Sequence, residues 1–273
     1  MNVGRRGPHV RELFDLSGRV AMVTGGCQNL GLDMAEALGE AGADLAITSR
    51  QQDKAQRAAR ELAEGLHVRV LPIGMDVTDE ASVEAGFARL MGEYGRLDVL
   101  VCNAGGGRLT GGGVTTDERL ISDWDHTIAV NLRGAFLCCR HACRIMKQQG
   151  SGSIINIASM SGKIGRDRWV YEGSDMVPNM TDYTAAKGGI IAFTKDLAAE
   201  LGSHGIRANS ISPGGFERNQ PAEFIRRYNA QTMLKRMGRD GVDLKGAVVY
   251  LASDAADYVT GHDLVVDGGF TAW

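Results

Sequence analysis

Short apolar runs alternate along the chain with longer segments in which apolar residues recur at helical spacing. The runs are RVAMVTG, DLAITSR, VRVLPIGMDV, LDVLVCNAG, SIINIAS, IRANSISPG and LVVDGG. The longer segments include DKAQRAARELAEG, SVEAGFARLMGEYG and TIAVNLRGAFLCCRHACRIMKQQ. Apolar strands without polar alternation are typical of a parallel sheet that helices cover on both faces. The pattern therefore predicts an α/β fold: a doubly wound parallel sheet in three layers, with right-handed crossovers.

Length and composition narrow the possible partners. The chain has 273 residues, 44% of them hydrophobic, so we expect one domain over 1–273 with an N-terminal extension at 1–15. A formal net charge of -3 without a long basic run argues against nucleic acid and membrane surfaces as partners. No apolar stretch reaches the roughly 18 residues of a spanning helix, and the first residues lack the apolar region of a signal peptide. We therefore expect a cytoplasmic protein that acts on a small molecule.

The cysteines and histidines show no metal-binding pattern. None of the five cysteines is in a C-x-x-C motif, and three of them fall in one apolar helical segment, so we expect buried thiols. The six histidines are scattered, without a spacing that would place two on one helix face. The sequence predicts no protein-built metal site.

The stretch TGGCQNLG, residues 24–31, follows the first apolar run and precedes the first helical pattern. A helix N-terminus in this position presents N–H groups and a partial positive charge to an anion. Gly25 allows a tight turn, Gly31 allows close packing of helix on strand, and Asn29 tolerates the positive φ that a glycine would otherwise supply. The loop is predicted to bind a dinucleotide, although a purely structural turn is the alternative for a glycine pattern taken alone.

Eight pieces of the sequence occur in the order found in the short-chain dehydrogenase/reductase family, which the chain resembles from about Leu16 onward. The pieces are TGGCQNLG, DVT at 76–78, CNAG at 102–105, Asn131 in AVNLRG, Ser159 in NIASMSG, YTAAKGG at 183–189, SPGG at 212–215 and YVTGHDLVVDGG. The resemblance extends to members of the gluconate 5-dehydrogenase type. It implies a Rossmann-like fold and a nicotinamide-dependent oxidoreductase that interconverts a secondary alcohol and a ketone.

Tyr183 and Lys187 form the Y-x-x-x-K piece and are predicted to be catalytic together with Ser159 and Asn131. A helix that begins near Thr181 places residues four apart on one face, so the lysine ammonium can lower the pKa of the phenol. Tyr183 would exchange a proton with the substrate oxygen, and Ser159 would hydrogen-bond that oxygen. Asn131 resembles the family's asparagine that holds a water in a proton relay. The alternatives are packing for the tyrosine, a turn cap for the serine and a helix bend for the asparagine.

The end of the second predicted strand, LAITSR, indicates which nicotinamide cofactor is used. Enzymes that prefer NAD usually carry an acidic residue there, whereas Ser49 followed by Arg50 suits the 2'-phosphate of NADP. NADP is the predicted cofactor and NAD the alternative, in which Arg50 stacks on the adenine or faces water. Position 28 is glutamine, where NADP-binding relatives often have a second basic residue.

The resemblance supplies the remaining cofactor contacts. It implies that Asp76 and Val77 line the adenine pocket and that Asn103 and Ala104 pass under the adenine ribose. A threonine that contacts the nicotinamide amide in the family is replaced near this point by Arg218 and Asn219. The predicted cofactor-binding residues are Gly25, Gln28, Asn29, Leu30, Gly31, Ser49, Arg50, Asp76, Val77, Asn103, Ala104, Gly105, Tyr183, Lys187, Pro213 and Gly214.

Polar segments after the strands point to the substrate. Segment 215–240 is charged and helical in pattern, and the family builds a substrate lid at this point. Together with Arg108 in the glycine-rich segment 105–113 and with Lys163, it favours a sugar acid or polyol over a long acyl chain. The alternatives are a 3-oxoacyl carrier-protein reductase and, in another class, a non-catalytic dinucleotide-binding sensor. A solvated helix face would also explain the charges of the segment.

Segment 163–182 is longer than its family counterpart by on the order of ten residues, and long loops at such places often bind ligands. Arg166 and Arg168 would clamp a carboxylate, while Trp169 and Tyr171 would form an apolar wall against a sugar ring. The alternative is a subunit contact in which the arginines pair with acidic neighbours in the segment. The resemblance also implies a homotetramer with helices around Phe136 and Phe193 at the interface.

Overall fold

In the computed structural model, which describes residues 7–107, 109–111, 113–178 and 180–273, a sheet of seven parallel strands forms the centre of the molecule. The strands, in chain order with a separate two-stranded pair included, are β1 (Val20–Val23), β2 (Asp44–Ser49), β3 (Val70–Gly74), β4 (Val99–Cys102), β5 (Gly152–Ile157), β6 (Ile206–Pro213), β7 (Phe216–Glu217), β8 (Gly238–Arg239) and β9 (Asp263–Val266). The large sheet has the order β3-β2-β1-β4-β5-β6-β9, and β7 pairs with β8. Each predicted apolar run contains one strand of the large sheet.

Helices cover both faces of the large sheet. They are α1 (Val10–Leu13), α2 (Asn29–Glu40), α3 (Gln52–Gly65), α4 (Glu80–Tyr94), α5 (Ile121–Ile128), α6 (Gly134–Gln149), α7 (Thr181–Leu201), α8 (Ala222–Gln231) and α9 (Lys245–Ala252). One apolar core joins the sheet to α2, α3 and α9. A second core joins its other face to α4, α6 and α7. The predicted fold class, a Rossmann-like α/β sheet in three layers, is confirmed.

The direction in which successive strands are added to the sheet reverses at β1. Its neighbours in the sheet are β2 on one side and β4 on the other, so the crossovers from β1 and from β4 leave toward opposite edges. In such sheets a crevice opens beyond the carboxyl ends of the strands at the point of reversal. The loops after β1, β2, β4 and β5 therefore meet there and carry the candidate functional residues.

The helical pattern predicted over 127–149 is not one continuous α-helix, which corrects the sequence-based expectation. A π-helical segment, Ala129–Arg133, separates α5 from α6. Asn131 lies in its middle, and the side chain donates to the carbonyl of Thr127 over 2.9 Å. Such a segment holds one more residue per turn than an α-helix and is frequent at functional sites. Here it turns a buried asparagine toward the loop after β4.

Segment 215–240 contains β7, α8 and β8, with the helix between the two short strands. Its apolar side chains pack on the segment that follows β5. The cluster consists of Met160, Val170, Tyr171, Phe224, Tyr228, Met237 and Phe270. The rings of Tyr171 and Phe224 lie 5.4 Å apart between centroids. The segment after β5 and segment 215–240, both predicted to border the substrate, therefore pack against each other.

The N-terminal residues 7–15 contain the single turn α1, which His9 caps. Among the described residues, no helix is both long and apolar enough to cross a membrane. Cys27, Cys102, Cys138 and Cys139 are buried free thiols, as expected, while Cys143 is partly exposed.

Candidate active site

The loop between β1 and α2 has the backbone that the sequence predicts. Gly25 has a φ of 63° and Asn29 a φ of 51°, so asparagine does occupy a left-handed position. A Cβ added to Gly31 would lie 2.3 Å from the carbonyl oxygen of Gly25, which explains the need for glycine. No side chain caps the N-terminus of α2. The first N–H groups of this helix are thus available to an anion.

Thr24 holds this loop against the loop after β4, a role that sequence reasoning missed. Its buried Oγ1 accepts hydrogen bonds from the backbone N–H groups of Asn103 and Ala104, at 2.9 and 3.0 Å. The Asn103 side chain in turn donates to the carbonyls of Thr24 and Gly25, at 3.0 and 3.2 Å. The two loops are therefore fixed relative to each other before any ligand binds.

Two adjoining cavities form a cleft along these loops, with volumes of about 550 and 280 Å³. They share Gly25, Gln28, Ala104 and two glycines of segment 105–113. Every residue predicted to bind the cofactor lines one cavity or both. The larger cavity contains the end of β2, and the smaller one contains Ser159, Tyr183 and Lys187. An extended dinucleotide fits this arrangement, because its pyrophosphate would lie at α2, between the two cavities.

The outer end of the cleft carries two cations. Arg50 is exposed and lines the larger cavity together with Lys54, whose ammonium donates to the side chain of Gln28. Burial acts to raise the pKa of Asp76, but hydrogen bonds from Thr78 and the charge of Arg50 outweigh it and lower that pKa. Sequence reasoning found the arginine and missed the lysine, which lies one helical turn further along the chain. Lys54 supplies the second basic residue that position 28 lacks.

The inner end of the cleft brings together the predicted catalytic side chains. The Lys187 ammonium donates to the carbonyl of Ile157, at 2.7 Å, and lies 5.6 Å from the centroid of the Tyr183 ring. Ser159 caps a short 3-10 turn by accepting from the Ser161 N–H over 3.1 Å. Ser159 can therefore cap this turn and also occupy its predicted catalytic position.

The electrostatics of this pair differ from the expectation. Burial raises the pKa of Tyr183, while a hydrogen bond with Ser159 and the charge of Arg166 act to lower it. Burial also lowers the pKa of Lys187 to about 8, so its ammonium loses a proton more readily than that of an exposed lysine. The predicted net lowering of the phenol pKa is therefore wrong, because the pKa of Tyr183 is raised. The cause is desolvation, which acts on both members of the pair.

Asn131 connects the π-helical segment to the glycine-rich segment 105–113. Its amide donates to the carbonyl of Gly106 over 2.7 Å, and its Oδ1 accepts from the Gly106 N–H over 3.1 Å. A Cβ added to Gly105 would lie 2.5 Å from that Oδ1 and 3.4 Å from the Lys187 ammonium. The asparagine therefore lies beside the lysine, as the predicted proton relay requires.

A buried ionic cluster, which sequence reasoning also missed, anchors the start of α7. The Arg119 guanidinium donates to Asp182 over 3.0 Å and to Asp123 over 3.2 Å, and both carboxylates are fully buried. Asp123 accepts from the N–H and hydroxyl of Thr110, at 2.9 and 2.7 Å. Asp182 accepts from the N–H of Tyr183 over 2.9 Å. The cluster joins segment 105–113 to the residue next to Tyr183, the predicted catalytic tyrosine.

The residues predicted to bind substrate separate into two groups. Arg166 is half-buried and donates to the Tyr171 hydroxyl and, at 3.5 Å, to Ser161. Trp169 instead packs under the guanidinium of Arg227, 4.8 Å from its ring centroid. Arg168 is exposed on the same 3-10 turn as Trp169. Within this segment Arg166 therefore points inward, whereas Trp169 packs against Arg227 of α8.

Two other charged residues that the sequence analysis names, Lys163 and Arg218, form ion pairs within the protein. Lys163 forms an ion pair with Asp263 at 2.9 Å. Arg218 lines the smaller cavity where the family's threonine is replaced, and it pairs with Asp240. Arg108 lies outside the described residues. No group of three potential metal ligands occurs among the residues that the structure describes.

Known proteins share this sequence and fold over almost their whole length. A family model described as enoyl-(acyl carrier protein) reductase matches residues 25–271. The chain is 36% identical to the NADP-dependent mannitol dehydrogenase of Hypocrea jecorina, with 95% of each chain covered. A short-chain type dehydrogenase/reductase from Mycobacterium marinum is 36% identical with a TM-score of 0.87, covering 97% of this chain and 100% of that one. A gluconate 5-dehydrogenase from Burkholderia cenocepacia J2315, in complex with NADP and tartrate, is 34% identical with a TM-score of 0.86, at the same coverage.

Proposed function

This chain belongs to the short-chain dehydrogenase/reductase family, and we propose that it interconverts a secondary alcohol and a ketone of a polyol or sugar acid with NADP(H). The similarity to a mannitol dehydrogenase and to a gluconate 5-dehydrogenase supports this substrate class. Both of those proteins are described with NADP. The two cations at the outer end of the cleft support the same cofactor for this chain.

One observation carries the proposal. Ser159, Tyr183 and Lys187 lie at one end of a cleft formed by two adjoining cavities, and Arg50 and Lys54 lie at the other end. A sensor that only binds a dinucleotide has no need for a half-buried tyrosine beside a buried lysine. The non-catalytic alternative is therefore disfavoured.

When bound in this cleft, NADP would supply the acceptor for the hydride of the carbinol carbon. Ser159 donates a hydrogen bond to the substrate oxygen and fixes the position of the carbinol group. Tyr183 takes the hydroxyl proton during oxidation and returns it during reduction. The Lys187 ammonium stabilises the phenolate. Asn131 serves the lysine end of the proton relay, and two hydrogen bonds with the backbone of Gly106 fix its side chain. The segment 215–240 covers the substrate as a lid.

The test is a panel of polyols, hydroxy acids, their keto forms and a 3-oxoacyl thioester, assayed by nicotinamide absorbance with NADP(H) and with NAD(H). We expect reduction of NADP by members of the first two groups and a lower kcat/KM with NAD. Turnover of a 3-oxoacyl thioester alone would instead assign the chain to carrier-protein reduction. Cofactor binding without turnover of any compound would identify a sensor.

We further infer that the chain is one domain and acts as a cytoplasmic homotetramer. Phe136 on α6 is 48% exposed, and its ring lies 6.2 Å from that of Phe193 on α7. An exposed aromatic pair on two adjacent helices is typical of a subunit interface. Light scattering should give the mass of four chains, and Phe136→Asp should lower it. A wild-type monomer at micromolar concentration would contradict the inference.

A further inference from the structure

Arg166 differs from Arg218 and Arg227 in its charge environment, because no carboxylate among the described residues pairs with it. In the part of the chain that the structure describes, Arg218 pairs with Asp240 and Arg227 with Glu172 and Glu223, whereas Arg166 forms no ion pair. Its terminal nitrogens donate to the hydroxyls of Tyr171 and Ser161. Its Nε is buried and has no hydrogen-bond partner among the described residues.

An unpaired and partly desolvated guanidinium is costly to fold, because burial of a charge is compensated only by an opposite charge and full hydrogen bonding. The hydroxyls of Tyr171 and Ser161 provide acceptors without negative charge. The missing charge at Arg166 is therefore one that a ligand would supply.

The position of Arg166 connects it to the reaction centre. Ser161, which accepts from Arg166, donates its N–H to Ser159 over 3.1 Å. The arginine is thus one side chain away from the serine that would bind the carbinol oxygen. Burial raises the pKa of Tyr183 and of Tyr228, and the charge of Arg166 partly opposes this effect at both phenols.

The neighbouring residues narrow the role of this arginine. Trp169 and Arg227 connect the segment to α8, through the ring contact and a hydrogen bond of 2.8 Å from Arg227 to the Trp169 carbonyl. These two contacts hold the segment against α8 without Arg166. Arginine presents several donors in a planar fork that suits a carboxylate.

We propose that Arg166 is a carboxylate receptor and that the enzyme selects hydroxy acids over neutral polyols. This inference rests on the proposed function and specifies its substrate. The carboxylate binds at Arg166 while the reacting hydroxyl lies between Ser159 and Tyr183. A neutral polyol leaves the guanidinium without a counter-charge and binds less well.

Matched substrates that differ only in the acid group test this proposal. We compare D-gluconate with D-glucitol and L-threonate with L-threitol, using wild type, Arg166→Met and Arg166→Lys. We expect Arg166→Met to lose about 10- to 100-fold in kcat/KM for the acids and less than about 3-fold for the polyols, because a charged hydrogen bond is removed. Arg166→Lys should retain part of the preference. Should Arg166→Met fail to fold, Arg166→Gln replaces it.

Arg69→Met is the control, since Arg69 is an exposed arginine before β3 that pairs with Asp44. It should leave both substrate classes unchanged. An equal loss for acids and polyols with a shifted pH profile would assign Arg166 to the tuning of Tyr183 and overturn the proposal. A wild-type preference for polyols would also overturn it.

Failure of the proposed function has a different signature. If no compound reduces NADP, the binding of D-gluconate and of D-glucitol to the NADP complex is measured by calorimetry. Tighter binding of gluconate that Arg166→Met abolishes supports the receptor without the reaction. Equal affinities for the two compounds exclude it.

Discussion

Removal of Arg119 should destabilise the protein far more than removal of a surface arginine. In Arg119→Met, Asp182 and Asp123 would lose a cation to which they lie at 3.0 and 3.2 Å, and both carboxylates are fully buried. Breaking a buried pair in this way costs about 3–5 kcal/mol. For a chain of this size, the melting temperature should fall by on the order of 10 °C.

The pH dependence of the loss separates a charge effect from a packing effect. Without Arg119, folded Arg119→Met takes up a proton on its buried carboxylates more readily than the unfolded chain does. The free energy of unfolding of the variant should therefore rise, relative to wild type, as the pH is lowered from 7 toward 5. Urea unfolding at a series of pH values measures this difference.

A second substitution provides the matched control. Arg119→Met combined with Asp182→Asn removes one of the two buried carboxylate charges and should recover part of the lost stability. Arg140→Met removes an arginine from a surface pair with Glu80, and it should change stability by less than about 1 kcal/mol. A loss in Arg119→Met that is below about 1 kcal/mol, or that does not vary with pH, would refute the importance of the buried charges.

Three further predictions concern the cleft. Tyr183→Phe should keep NADPH binding, measured by nicotinamide fluorescence, but lose at least about 100-fold in kcat, and near wild-type turnover would contradict the mechanism. Ser49→Asp and Lys54→Ala should each weaken NADP relative to NAD by roughly 10-fold in dissociation constant, so an unchanged ratio would show that this end does not contact the 2'-phosphate. The pKa of Lys187 is lowered from 10.5 to about 8, so the unfolded chain binds more protons between these pH values. The unfolding free energy of wild type minus that of Lys187→Met should accordingly rise by about 3 kcal/mol over this range, and parallel pH profiles of the two proteins would argue against the buried ammonium.

The features that could be predicted from the sequence depend on local geometry. Seven apolar runs predict the strands of the large sheet because burial on both faces leaves an unbroken apolar pattern. The spacing of Tyr183 and Lys187 predicts their common face on α7, which begins at Thr181 as expected. The positive φ of Asn29 follows from its place in a turn that glycine would otherwise occupy.

The features that the sequence did not predict depend on residues far apart in the chain. Arg119 and Asp182 are separated by 63 positions, and neither belongs to a recognisable motif. Lys54 reaches Gln28 only because α3 packs beside the loop after β1. The raised pKa of Tyr183 results from burial, which a spacing of four residues cannot show. The roles of the site residues in binding and catalysis remain predictions.

The π-helical segment Ala129–Arg133 has a consequence for the tolerance of this helix to length changes. It amounts to a one-residue insertion in an otherwise regular helix, and the wider turn absorbs the extra residue. Deletion of one residue from the segment would allow α5 and α6 to join as a continuous α-helix. Because four α-helical residues turn the chain by about 400°, nearly as far as the five residues of the π-helical segment, the apolar face of α6 would stay toward the sheet. The extra residue therefore serves the position of Asn131 and not the packing of α6, so a one-residue deletion here should lower activity more than it lowers the melting temperature.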